Sequence, residues 1–161
     1  MRCPTECREH ISRAMRFQLT ELSSPSADIS GELDSLIIDV NRVLGDEMGR
    51  WVLSAHHHDA QSELSLFVAE TQKQLVVDRT FIDTQTGIRW IIDYKTSRPA
   101  EGESLADFFS EEAARYGDQL MRYRSAMRLY DQSHHPNVVD TRVALFFSAL
   151  AELYELPIQE G

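Results

Sequence analysis

The chain has little with which to staple, anchor or fuel itself. Two cysteines, Cys3 and Cys7, occur in 161 residues. A lone C-x3-C lacks the second ligand pair of a zinc site, and two cysteines are no disulfide framework. A reducing cytoplasm is therefore the expected setting. No run approaches the ~18 consecutive apolar residues of a membrane span. The N-terminal stretch MRCPTECREHISRAMRF has no apolar core of a secretory signal. GxxxxGK[ST] is absent, which excludes ATP use through a P-loop. Positive charge is scarce: 16 Lys and Arg stand against 26 Asp and Glu, a formal net charge of −10. That excludes a generic basic nucleic-acid binder but not an enzyme whose acids hold metal.

What is present reads as a globular protein, with 42% hydrophobic and 26% charged residues. The length suits one domain with a real core. No internal repeat or low-complexity tract appears. Residues 8–22 are expected to form a short helix, closed by Ser23-Ser24-Pro25-Ser26. Leu33, Leu36, Ile37, Val40, Val43 and Leu44 recur on one face of a 3.6-residue period, with Ser30 as N-cap. Gly45 and Gly49 break that pattern, and Ser54 to Gln61 reads as a polar loop.

Strand signals follow. Residues 63–69, 74–82 and 88–95 are rich in β-formers, and Asp83 to Gly87 is the turn between the last two. The three make an antiparallel meander. Tyr116, Leu120, Tyr123, Met127 and Tyr130 share one face of a helix predicted over 112–130. Residues 142–148 read as a buried strand, and 153–156 as a last one. The order predicts an α/β fold, a mixed sheet with an antiparallel three-strand meander flanked by helices. Residues 1–55 are expected as an N-terminal helical segment packing on a core of residues 56–161, one structural domain overall. The expected core holds Leu36, Val40, Leu66, Val76, Ile92, Phe108, Leu120, Met127, Leu145 and Phe147.

The chemistry lies where apolar strands run into charge. Leu75-Val76-Val77 leads into Asp78, and Trp90-Ile91-Ile92 leads into Asp93 and Lys95. A buried unpaired carboxylate is costly, and a metal ion is an economical partner for two acids. Asp93 and Lys95 point to one face by strand alternation. A hairpin closing on Gln85 and Thr86 sets Asp78 opposite Asp93, with Cβ atoms about 5 Å apart. Two such carboxylates bind one divalent cation through oxygen, with the Tyr94 backbone carbonyl as a further ligand. Lys95 beside them can orient a water or offset charge on a phosphate.

D-(x14)-D-x-K resembles the signature of PD-(D/E)xK nucleases. VDRTFIDTQTGIRWIIDYKTSRP is similar to the RecB-like branch, and Tyr116-Gly-Asp-Gln119-Leu120-Met-Arg-Tyr123 is similar to its Y-x-x-Q-L-x-x-Y helix. The resemblance covers roughly residues 50–150. It implies a restriction-endonuclease-like fold and a Mg²⁺-dependent nuclease, with Mn²⁺ as substitute. Such modules usually sit at the C-terminus of UvrD-, AddA- or RecB-type helicase-nucleases that process DNA ends. The expected partners are DNA and a UvrD-like helicase in the same polypeptide or complex. Carried over, Asp78 and Asp93 hold the metal and Lys95 is the catalytic lysine. Gln119 and Tyr123 support the site or touch DNA, with Arg79 and Tyr116 beside them. Glu63 matches an acid at the start of the family's first strand. The family commonly adds a metal-ligating His in a G-x-x-x-H-like context before the sheet. The chain has none: His10 lies in that direction without the Gly. This departure suggests a C-terminal fragment or an incomplete site, and it motivates the alternative of a degenerate nuclease fold that binds DNA or a partner.

Two other features invite a function. His56-His57-His58 suggests a metal site, but neighbours on a strand point apart, so a solvated loop is expected; His134-His135 also reads as loop. Arg122, Arg124 and Arg128 form a local basic stretch that suits either phosphates or a solvated helix face.

Overall fold

The computed structural model describes residues 29–68 and 72–158. The helix expected over residues 8–22 lies outside them. The element order is α1 (Ile29–Gly45), α2 (Glu47–Leu53), β1 (His58–Val68), β2 (Lys73–Ile82), β3 (Arg89–Lys95), α3 (Leu105–His134), β4 (Thr141–Phe147) and β5 (Glu152–Glu155). The strands form one mixed sheet in the order β1-β2-β3-β4-β5. β1, β2 and β3 are antiparallel neighbours; β3 and β4 are parallel, joined across α3; β5 returns antiparallel.

Alternation of side chains divides the core into two layers. On one face Ile91, Val143, Leu145 and Phe147 meet Phe108, Leu120, Tyr123 and Met127 of α3. On the other, Phe81, Trp90, Ile92, Ala144 and Phe146 meet Val43 of α1 and Val52 of α2. Burying each large side chain contributes about 1.5–3 kcal/mol relative to exposure. The β2–β3 hairpin follows the expected register, pairing Arg79 with Ile92 and Phe81 with Trp90. Its turn is closed by Asp83, whose carboxylate accepts from Thr86 Oγ1 at 2.6 Å, and by Gly87 at φ 71°.

Several local expectations need correction. Helix α3 starts at Leu105, seven residues early, because Ser104 caps it: its hydroxyl oxygen accepts from the Asp107 N–H at 3.1 Å. The same helix runs on to His134 because Asp131 turns inward to Arg89. Strand β1 begins at His58, inside the expected loop. His57 is not solvated: its ring stacks on Phe81 at 4.1 Å, with Nε2 2.8 Å from Trp51 O. Val76 is 45% exposed rather than core, and Ile37 is 57% exposed. Leu36 and Val40 are only half-buried. α1 presents Asp39 and Val43 inward, one turn apart, so the expected stripe lies partly to the side.

The strands also switch faces. Ser62 meets Arg79 on the α2 side, whereas Leu64 packs with the α3-side cluster. Likewise Phe81 belongs to the α2 side and Val77 to the α3 side. Residues two apart on an unbroken strand share a face, so the pleat is broken at Glu63 on β1 and near Asp78 on β2. Glu63 has φ 54°, a conformation non-glycine residues rarely adopt. The ladder pairs 62 with 79 and 64 with 77, so the two breaks lie opposite each other.

Candidate functional site

The break sets up the acidic cluster. Beyond Arg79–Ile92, β3 leaves regular pairing with β2, and the Tyr94 N–H donates to Asp78 Oδ2 at 3.0 Å. Asp78 thus takes a backbone donor that a regular strand would give to a carbonyl. Its side chain sits among negative neighbours. Burial pushes its carboxyl up to about 6, helped by the negative charges of Asp93 and Glu63, while the Tyr94 N–H and Lys95 pull the other way.

Asp93 and Lys95 share the α3-facing side of β3, as alternation requires. Lys95 Nζ stands 2.6 Å from Asp93 Oδ2, and both side chains are about nine-tenths buried. The ammonium is thus the electropositive partner of this buried carboxylate oxygen, a close ion pair rather than an aligned hydrogen bond. A buried carboxylate is costly without a charged partner, and one ammonium acts on both Asp93 and Asp78.

Helix α3 closes the cluster from above. Lys95 Nζ lies 3.5 Å from the centre of the Tyr116 ring, a cation–π contact. One and two turns on, Gln119 Nε2 donates to Tyr123 Oη at 2.6 Å. Burial holds the Tyr123 hydroxyl above the usual phenol range, against the Gln119 bond and together with the charges of Asp93 and Asp78. Tyr123 therefore senses both acids. Tyr116, Gln119 and Tyr123 gather on the helix face over Asp78, Asp93 and Lys95.

The remaining candidates fall in different places. Glu63 is exposed and lies at the register position opposite Asp78, close enough to act on its charge. Arg79 faces away: its guanidinium donates to Val52 O at 3.2 Å and Ser54 O at 2.6 Å, fastening the end of α2 to β2. It supports the sheet under the site. Tyr94 turns its ring to the α2 side, 6.1 Å from Phe146. Its carbonyl is a candidate ligand by its position between Asp93 and Lys95.

The donor set suits a hard divalent cation. Asp78 and Asp93 offer carboxylate oxygen, and the charge of Lys95 acts on Asp78 against those of Asp93 and Glu63. Among the described residues no cluster of three or more His, Cys, Asp and Glu converges to hold a metal. A cation here would rest on two carboxylates, completed by backbone carbonyl or water.

Sequence reasoning missed a second ring of charge. Glu112 of α3 is buried, and accepts from Ser97 Oγ at 2.8 Å and Arg115 Nη1 at 2.9 Å. Asp39 of α1 is buried and accepts from Arg98 Nη2 at 2.7 and 2.8 Å. The only local signal was Ser97 and Arg98 directly after the D-x-K strand; their partners are far away in sequence. No protein-family model matches the chain, and no curated protein matches it.

Proposed function

We propose that this chain is a RecB-like nuclease domain of restriction-endonuclease-like fold, a Mg²⁺-dependent phosphodiesterase acting on DNA. Its setting would be the exonuclease-type module of a helicase-nuclease in DNA-end processing and recombinational repair. The observation that carries the reading is the crowding of the buried acids Asp78 and Asp93 beside Lys95, under the Tyr116–Tyr123 helix face.

Asp78 and Asp93 would hold Mg²⁺ or Mn²⁺, which when bound polarises a phosphate oxygen and lowers the pKa of water. The Tyr94 N–H fixes the Asp78 carboxylate in place. Lys95, held between Asp93 and the Tyr116 ring, is a cation fixed beside the acids. It can orient an attacking water or offset charge on the scissile phosphate. Tyr116 and the Gln119–Tyr123 pair exclude solvent and keep Lys95 aimed at the acids. The product would carry a 5′-phosphate, as the resemblance implies.

The test is a cleavage assay with Mg²⁺ on single- and double-stranded DNA, comparing wild type with Asp93→Ala and Lys95→Ala. Loss of about 100-fold or more in both variants is expected for groups acting on the reacting phosphate. Equal activity in the variants would remove these residues from the site. The second reading, a degenerate fold that binds DNA without cutting it, is favoured by one observation: among the described residues no three His, Cys, Asp or Glu side chains converge to hold a metal.

A further inference from the structure

Two arginines flank the end of β3 just beyond Lys95, each fixed by a buried acid. Arg98 is gripped by both oxygens of Asp39, whose side chain is 7% exposed, while its own side chain is 47% exposed. Arg115 is held by Glu112, whose side chain is 5% exposed, while its own is 62% exposed. Ser97 bonds Glu112 on the α3 side, and Arg98, the next residue, reaches α1 on the other. The pair therefore brackets the strand end from both layers. Arg115 also adjoins Tyr116, the residue whose ring holds Lys95.

Burying a carboxylate to hold an exposed guanidinium is poor value for stability alone. It does preorganise a cation, fixing where the charge points while leaving donors open to solvent. The placement matters in an acidic chain. Elsewhere Arg79 and Arg89 are buried, Arg50 bonds helix-end carbonyls, Arg124 and Arg142 pair with Asp140, and Arg122 and Arg128 of α3 are exposed with no acid among the described residues to fix them. We propose that Arg98 and Arg115 form a two-arginine clamp that grips the phosphates of a single DNA strand on either side of the bond presented to Lys95. This rests on the nuclease reading and adds to it how the strand is held. Exposed Glu101, Glu111 and Asp118 nearby disfavour the broad charge of a duplex and suit one narrow strand.

The experiment is fluorescence anisotropy of a labelled single-stranded oligodeoxynucleotide in Ca²⁺ buffer over a range of salt. Wild type, Arg98→Gln/Arg115→Gln, Arg115→Gln, Arg98→Lys and the distant control Arg50→Gln are compared, with melting temperatures alongside. The double variant is expected to bind about tenfold more weakly, and its slope of log affinity against log salt to fall by about 1.4, roughly 0.7 for each lost phosphate contact. Arg115→Gln, which leaves the Ser97–Glu112 bond intact, loses about half of that slope, whereas Arg98→Lys and Arg50→Gln keep it. A folded double variant with unchanged affinity and slope would reduce both arginines to staples between helices and overturn the clamp. So would a wild type that fails to bind at low salt. A wild type that binds through both arginines yet cuts nothing with Mg²⁺ upholds the clamp and overturns the nuclease reading, so the two fail separately.

Discussion

Asp78 carries a penalty that pH can remove. Its folded carboxyl titrates near 6, above the ordinary 3.8, because burial and Asp93 both disfavour its charge. The folded state therefore holds a proton that the unfolded state has lost between these values. Stability falls as pH rises from about 4 to 6 and stays low above. In metal-free buffer Asp78→Asn, which can still accept from the Tyr94 N–H, should stabilise the protein by about 2 kcal/mol at pH 7.5. The gain should shrink toward zero near pH 4, as urea unfolding at the two pH values would read. A gain that is equal at both would mean Asp78 is not strained by charge.

At the scale of elements, α2 is held to α1 by contact too close for a side chain. A Cβ on Gly49 would stand 2.1 Å from the Val43 carbonyl oxygen, backbone that cannot yield cheaply. Gly49→Ala should cost about 1–3 kcal/mol, measured by chemical unfolding, despite its better helix propensity. In the sequence this glycine reads only as a helix breaker. The strand elements were more legible: alternation and the Asp83–Gly87 turn gave the β2–β3 register from Arg79–Ile92 to Ile82–Arg89. The ladder stops short of the expected Asp78–Asp93 pair, and Asp78 takes the Tyr94 N–H instead. The face switch was not legible, because it depends on a non-glycine residue, Glu63, at positive φ. It also explains why Val76, in an apolar run, ends on the surface while Val77 is fully buried. Asp39 and Glu112 stayed hidden because their partners, Arg98 and Ser97, lie 59 and 15 residues away.

At the scale of the molecule, one buried cation ties the sheet to α3 far from the acids. Arg89 is fully buried, bonded to Asp131 at 2.6 and 3.1 Å and to Asp59 at 2.8 Å. Removing one partner leaves a buried charge uncompensated. Arg89→Met should destabilise by about 3–5 kcal/mol in urea unfolding, with the residual fold still able to bind metal where it persists. The net charge of −10 gains a sharper sense at this scale. Part of it is concentrated where a cation would be welcome, and Arg98 and Arg115, exposed and each fixed by a buried acid, sit beside that place.

The nuclease reading requires Asp78 and Asp93 to share a divalent cation. Calorimetric titration of the metal-free protein with Mn²⁺ at pH 7.5 tests it most directly, with Asp78→Asn and Asp93→Asn in parallel. Saturable binding of roughly one ion per chain is expected, at millimolar affinity or tighter as befits a few oxygen ligands, and is lost in both variants. Saturable binding that survives in both variants, or no heat up to roughly 10 mM Mn²⁺, would contradict it.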